Sequence, residues 1–289
     1  MIPHAWMLLP SGRRLDLLNS HPCAWTDADL ATRLSRTYRW CSDTCWDRSL
    51  SVAQHSFTVL HLRQAASSSP LSASECLREL LHDAEEGLTH YDVPTPLKPL
   101  LGKAYLDMIA GLRRCIDSRY NVPKWDKASY AAHKIADRLA AACEARHVVG
   151  WSAEDISQAL GIMIEPLGHD PVPIQAGMKP WEPWPAALAA RLFLEELERL
   201  QREMLELAPD ECVVTMLPST RQAGHGVGKA DQATFVVIEG GDSIVEGQIV
   251  KGVRLDSGSW DLDRLFTVQT DEGELLTVHG WNCHTEVLP

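Results

Sequence analysis

No stretch of this sequence approaches the roughly 18–20 uninterrupted apolar residues that a membrane-spanning helix needs. The opening segment carries no basic cluster, and its apolar run around Trp6-Met7-Leu8-Leu9 is too short for an export signal. Of the eight cysteines only Cys41 and Cys45 lie close together, and no Cys-x-x-Cys pair occurs, which argues against a thiolate zinc site. Free thiols in a reducing compartment are the simplest reading, so a cytoplasmic location and no membrane partner are expected. Basic excess is missing too. The formal net charge is −12, whereas a binder of phosphate backbones normally presents a basic face. No nucleic-acid partner is therefore expected, although a nucleotide enzyme remains open, since a few local Arg and Lys plus a metal suffice there. Neither an internal repeat nor a low-complexity tract beyond residues 65–70 is present.

What is there is an ordinary globular composition, 45% hydrophobic and 23% charged over 289 residues, enough to bury a full core. Trp6-Met7-Leu8-Leu9 and Leu15-Asp16-Leu17-Leu18 flank the turn signal Pro10-Ser11-Gly12, which predicts a short N-terminal hairpin. Thr26, with Asp29 three residues on, resembles a capping box opening a helix towards Tyr38. Apolar spacing predicts further helices over 50–66, 73–89, 99–118, 126–148, 152–162 and 186–207. Pro94, Pro96 and Pro99 punctuate one loop. Six prolines from Pro166 to Pro185 make a long irregular crossing that carries Trp181 and Trp184.

After Pro209 the character changes. Residues 233–238, 248–254 and 265–270 are β-branched or alternating, with Gly240-Gly241, Ser257-Gly258 and Asp271-Glu272-Gly273 as turns. Residues 209–289 hold 13 acidic and 5 basic side chains, a net charge of −8, so most of the chain's excess charge sits there. The expected architecture is mainly α: a helical bundle with a short N-terminal hairpin and a small C-terminal antiparallel β module, perhaps a barrel. Domains are expected at 1–207, with a core of about 20–150 and a helical extension over 151–207, and at 208–289.

The chemistry is carried by polar residues in apolar surroundings. His82-Asp83 follows Leu80-Leu81 in what reads as one apolar helix, and ionisable neighbours in a core are expensive unless paired. A divalent metal is the economical partner for imidazole and carboxylate together. Asp137 sits among apolar neighbours in another helix, and His55 lies in a third, within Ser51-Val52-Ala53-Gln54-His55-Ser56. Three helices could thus converge His55, His82, Asp83 and Asp137 on one ion, with positions left for water and a substrate oxygen. Glu86 follows His82 by four residues and so shares its helical face, where a carboxylate that does not ligate can orient water or move its proton. Glu85 competes for that role. Taken singly, each of these is more often a satisfied core polar group.

Order and context together point further. Ser51-Val52-Ala53-Gln54-His55-Ser56, then His82-Asp83-Ala84-Glu85-Glu86-Gly87-Leu88-Thr89, then Asp92-Val93-Pro94-Thr95-Pro96-Leu97-Lys98, then Lys134-Ile135-Ala136-Asp137 resemble the bacterial 5′-deoxynucleotidases and related phage hydrolases of the HD-domain superfamily. The resemblance covers about residues 6–148. It implies an HD-domain helical bundle with His55, His82, Asp83 and Asp137 as metal ligands, and Glu86 and Asp92 as catalytic acids. His90-Tyr91 stands where that family has one glycine. Arg39-Trp40 falls at the spacing of an arginine that holds phosphate and an aromatic under the sugar; core packing is the other reading of Trp40. Lys98 either contacts phosphate or begins the next helix. His90 faces the leaving group or lies on an exposed loop, and Glu144 reads as a structural ion-pair partner.

Gly224-His225-Gly226-Val227-Gly228-Lys229 lacks the spacing of a phosphate-binding loop. Trp181, Trp184, Trp260 and Trp281 read as packing residues rather than a base-stacking platform. The resemblance implies a nucleotide substrate, a 2′-deoxynucleoside monophosphate, and one ion of manganese, cobalt, iron, nickel or zinc. A deoxynucleoside triphosphate triphosphohydrolase, or a nucleotide sensor without turnover, are the alternatives. A homodimer is expected by analogy.

Overall fold

The structure, a computed structural model, describes residues 4–206 and, beyond them, the backbone of five strands within 232–286. Two compact units divide the chain, Met1–Glu206 and Leu207–Pro289.

The first unit is mainly helical and begins with a two-stranded antiparallel hairpin. Strand β1 (Trp6–Leu8) pairs with β2 (Arg14–Asp16), with Met7 opposite Leu15. Gly12 takes the positive φ of +84° that the turn requires. Leu9 and Leu15 are buried, which seals the hairpin to the helices.

Most helices start on a sequence-encoded cap. In α1 (Asp27–Leu34) the Thr26 hydroxyl accepts from Asp29 N, and the Asp29 carboxylate accepts from Thr26 N. Equivalent boxes open α3 (Ala73–Leu80) at Ser72, α6 (Lys127–Glu144) at Asp126 and α7 (Ala153–Leu160) at Ser152. Ser51 caps α2 (Val52–Ala66), which is buried around its whole circumference from Val52 to Leu60. A helix buried on every face belongs at the centre of a bundle. Accordingly α2 packs against α3, α6 and α8 (Ala186–Glu206), and α8 also covers α1. Trp25, Leu34, Leu77, Leu80 and Phe193 are among the largest fully buried side chains.

One expectation needs correction. Residues 73–89 are two helices, α3 and α4 (Ala84–Thr89), separated by a turn at Leu81–Asp83. Asp83 has φ −117° and ψ 24°, outside the helical region, and is the N-terminal flank of α4. Periodicity misses this because Leu80, Leu81, Ala84 and Leu88 are all buried on either side of the break. Further along, Thr95–Leu101 forms a 3-10 helix ahead of α5 (Gly102–Tyr120), and α6 runs into a π-helical turn at Ala145–Val149. Trp181 and Trp184 on the proline-rich crossing are both buried. Trp184 N donates to Gln54 Oε1 at 2.7 Å, tying the crossing to α2.

In the second unit, β3 (Gln232–Val236), β4 (Ile249–Arg254), β5 (Leu265–Thr270), β6 (Leu275–His279) and β7 (Cys283–Glu286) form one antiparallel sheet in the order β6-β5-β4-β3-β7. The Gly224–Lys229 segment, the three glycine turns, Trp260 and Trp281 lie outside the described residues. Among the described residues no helix is long and apolar enough to cross a membrane.

Candidate metal centre

Two helices and one inter-helix turn bring the candidate ligands together. His55 comes from the first turns of α2 and is fully buried; His82 and Asp83 come from the α3–α4 turn; Asp137 comes from α6. The break at Leu81–Asp83 matters here. Consecutive residues of a helix point about 100° apart, whereas the turn lets His82 and Asp83 both face His55. Donor atoms of His55, His82 and Asp137 lie within 4.8 Å of one another. His82 Nε2 is 3.2 Å from His55 Nε2 and 3.2 Å from Asp83 Oδ2. His55 Nε2 is 3.6 Å from both Asp83 Oδ2 and Asp137 Oδ1. Ligands about 2.0–2.2 Å from one ion, at angles between octahedral and tetrahedral, stand roughly 3.0–3.5 Å apart.

The backs of both imidazoles are tied. His55 Nδ1 is 2.6 Å from Glu144 Oε1, and His82 Nδ1 is 2.7 Å from the carbonyl of Glu79. Both partners accept, so each Nδ1 carries the hydrogen and each neutral ring turns its Nε2 lone pair inwards. Two lone pairs and two carboxylates then face one point, an arrangement that repels itself unless a cation lies between. The donor set therefore fits a divalent metal.

The electrostatics agree. Burial and Arg39 oppose protonation of His55, but Glu144, Asp137 and Asp83 outweigh them and hold its pKa well above the ordinary value. Burial likewise opposes the charged form of Asp137, and the His55 bond with the neighbouring imidazoles pulls its pKa down regardless. Glu144 is buried yet drops to about 2, because Arg39 and His55 both stabilise its charge. Positive charge is wanted throughout this cluster.

Around the ligands stand the other expected residues. Arg39 Nε donates to Glu144 Oε2 at 2.9 Å, while its Nη1 is 3.8 Å from Asp83 Oδ2 and from Asp92 Oδ2. Contacts of 3.8 Å are charge contacts rather than hydrogen bonds, so the outer guanidinium donors stay available for an oxyanion. Glu86 is buried; Lys98 Nζ donates to its Oε1 at 3.0 Å, and its Oε2 has no partner among the described residues. Burial first, then the charges of Asp83 and Asp92, raise the Glu86 pKa well above the usual carboxylate range, against Lys98 and Arg39. Trp40 donates its indole N–H to Glu144 Oε2 at 3.0 Å and meets Trp151 edge-on at 5.5 Å.

Other residues stand apart. Glu85 is buried but is bound by Arg113 of α5, which removes it as a rival to Glu86. His90 is exposed in a left-handed conformation that ends α4, with Nδ1 3.0 Å from Thr37 Oγ1. Two contributors went unread in the sequence. Glu79, on α3, accepts from Arg63 Nε at 3.0 Å and lies 2.7 Å from His133 Nδ1, whose ring meets that of His82 at 4.9 Å. His133 lies four residues before Asp137 on α6, so it shares that residue's helical face, a signal the spacing carried. Glu144, read from the sequence as an ion-pair partner, stands two turns beyond Asp137 on α6 and pairs with Arg39.

No protein-family model matches the chain. Over 158 residues it is 34% identical to an uncharacterized protein of Rhodobacter capsulatus, across 54% of this chain and 80% of that protein. The chain belongs to that protein's family. The relative's name states no activity, so the chemistry of this family has to be argued from the cluster itself.

Proposed function

We propose that the protein is a metal-dependent phosphohydrolase of the HD superfamily acting on nucleotides, a 5′-deoxynucleotidase releasing phosphate from 2′-deoxynucleoside monophosphates. One observation carries the reading: two imidazoles with opposed Nε2 atoms and two carboxylates, flanked by a guanidinium with unspent donors and a buried carboxyl. The ordered motifs around His55, His82, Asp92 and Asp137 supply the superfamily and the substrate class.

His55, His82, Asp83 and Asp137 would hold one divalent ion of manganese, cobalt, iron, nickel or zinc. Such an ion supplies positive charge and Lewis acidity for phosphoryl transfer. Arg39 offers its outer N–H groups to the phosphate, a geometry that suits a bidentate fork. Glu86, whose hold on a proton is strengthened by burial and by the charges of Asp83 and Asp92, is suited to pass a proton to the departing oxygen. Lys98 fixes the orientation of that carboxyl through Oε1. Asp92, which shares Arg39 Nη1 with Asp83 at 3.8 Å, would orient the attacking water. Trp40 is held by Glu144 and is a fixed apolar surface beside Arg39, which leaves a 2′-hydroxyl without partners.

The test is release of phosphate and of triphosphate from all ribo- and deoxyribonucleoside mono- and triphosphates, with manganese, cobalt or a chelator. Wild type is compared with His82→Ala/Asp83→Ala. Metal-dependent phosphate release from deoxynucleoside monophosphates, lost in the double variant, is expected. Release of triphosphate would replace the nucleotidase by a triphosphohydrolase. A folded, metal-loaded protein that turns over none of these nucleotides would sink the enzyme reading.

A further inference from the structure

The carboxylate of Glu144 joins two parts of the site that come from different segments. Its Oε1 lies 2.6 Å from His55 Nδ1, while its Oε2 accepts from Arg39 Nε at 2.9 Å and Trp40 Nε1 at 3.0 Å. The residue is 1% exposed, so no water competes for these bonds. The Arg39 side shows independent signs of being held. Trp40, Cys41 and Ser42 take positive φ values of 58°, 51° and 72° in succession. Non-glycine residues adopt such a left-handed run only where their surroundings over-determine it. Ser42 N to Arg39 O and Asp43 N to Trp40 O, both at 2.9 Å, close the turn. Cys45 N donates to Val148 O at 2.8 Å, which anchors the loop to the π turn directly after Glu144. One end of α6 thus holds both the side chains and the backbone of the Arg39 segment.

A carboxylate suits this place and an amide does not. Ionised Glu144 accepts on both edges, so it serves an imidazole N–H on one side and two N–H donors on the other. A glutamine offers one accepting edge and one donating edge. With its oxygen claimed by Arg39 and Trp40, its NH₂ would face His55 Nδ1 and force the hydrogen onto Nε2, the atom that must ligate.

We propose that Glu144 is a positioning residue that, with one carboxylate, sets both the tautomer of His55 and the aim of Arg39. This rests on the metal-centre reading above. The experiment uses zinc alone, titrated calorimetrically into the full chain. Glu144→Gln is expected to fold and to bind zinc about 10–100-fold more weakly than wild type. Adding Arg39→Met and Trp40→Phe frees the amide to turn its oxygen to His55, and zinc affinity is expected to recover. A folded Glu144→Gln with unchanged zinc affinity, or a loss that the added substitutions do not relieve, overturns the proposal and leaves Glu144 a structural partner. Should Glu144→Gln not fold, nitrogen NMR of metal-free wild type decides: a hydrogen on His55 Nδ1 hydrogen-bonded to Glu144 is expected before any ion binds, and its absence overturns the assignment. Wild type that binds no stoichiometric zinc overturns the metal centre itself, and this inference with it.

Discussion

His55 and His82 meet through Nε2 atoms 3.2 Å apart, each with its Nδ1 turned to an acceptor behind it, Glu144 for one and the Glu79 carbonyl for the other. His55 is fully buried and His82 partly so, and opposed lone pairs in such surroundings are costly unless something positive sits between them. The pair is thus arranged to accept positive charge between its rings, as a proton or as the metal proposed above.

Metal is expected to stabilise the folded chain by an amount that grows with the logarithm of its free concentration above the dissociation constant. Manganese at 100 times its dissociation constant adds about 2.7 kcal/mol by mass action. For a unit of this size that raises Tm by roughly 5–10 °C. Thermal unfolding with increasing manganese checks this, and His82→Ala is expected to abolish the shift while remaining folded. A chain whose Tm ignores manganese would contradict the centre.

Glu86→Gln tests the proton. General acid–base catalysis contributes about 10²–10⁴-fold, and kcat should fall by that order with little change in KM. The metal-free protein gives a second handle. The Glu86 carboxyl holds its proton more tightly folded than unfolded. Its contribution is thus fully present below the ordinary glutamate pKa and is lost as pH rises through the folded value. Glutamine does not ionise, so the variant should gain on wild type by up to about 1.4 kcal/mol per pH unit across that window. Denaturant unfolding between pH 5 and pH 8, without metal, measures the difference; parallel curves would show that Glu86 ionises freely.

Gly87→Ala runs against helix propensity. Alanine ordinarily stabilises a helix interior by about 1 kcal/mol over glycine. Here an added Cβ would meet Leu34 Cγ at 2.6 Å, Leu34 Cδ2 at 2.8 Å and the Leu34 backbone N at 3.3 Å, and Leu34 is fully buried. A net loss of about 1–3 kcal/mol is expected. Because Gly87 follows Glu86, kcat should fall as well. Stability equal to or above wild type would show that α1 and α4 separate more easily than their packing indicates.

Asp29 links the hairpin to α1. Its carboxylate accepts from Ser11 N and Ser11 Oγ at 2.8 and 2.7 Å and from Thr26 N at 2.9 Å. Burial opposes its charge, but the bonds from Ser11 and Thr26 prevail and lower its pKa. The stability it confers is present above the unfolded value and lost as pH falls through the folded one. Asp29→Asn should cost about 1–2 kcal/mol at neutral pH, with the gap to wild type closing in acid. Urea unfolding at pH 7 and pH 3 reads both; a pH-independent gap would argue against the ionised cap.

The sequence by itself determined what is local. Apolar spacing placed the helices, Thr26 and Asp29 marked the start of α1, and Trp6–Leu8 with Arg14–Asp16 formed the expected hairpin. It also singled out His55, His82 and Asp137, which the folded chain gathers within 4.8 Å of one another. Tertiary structure decided the rest. The turn at Leu81–Asp83 was invisible because burial continues across it, yet that turn is what aims two consecutive residues at one point. Lys98 paired with Glu86, Arg113 took Glu85, and Glu144 served His55 and Arg39 at once. None of these follows from spacing along the chain. A charged side chain is compatible with many partners, and only packing three-dimensional neighbours around it in low dielectric selects one.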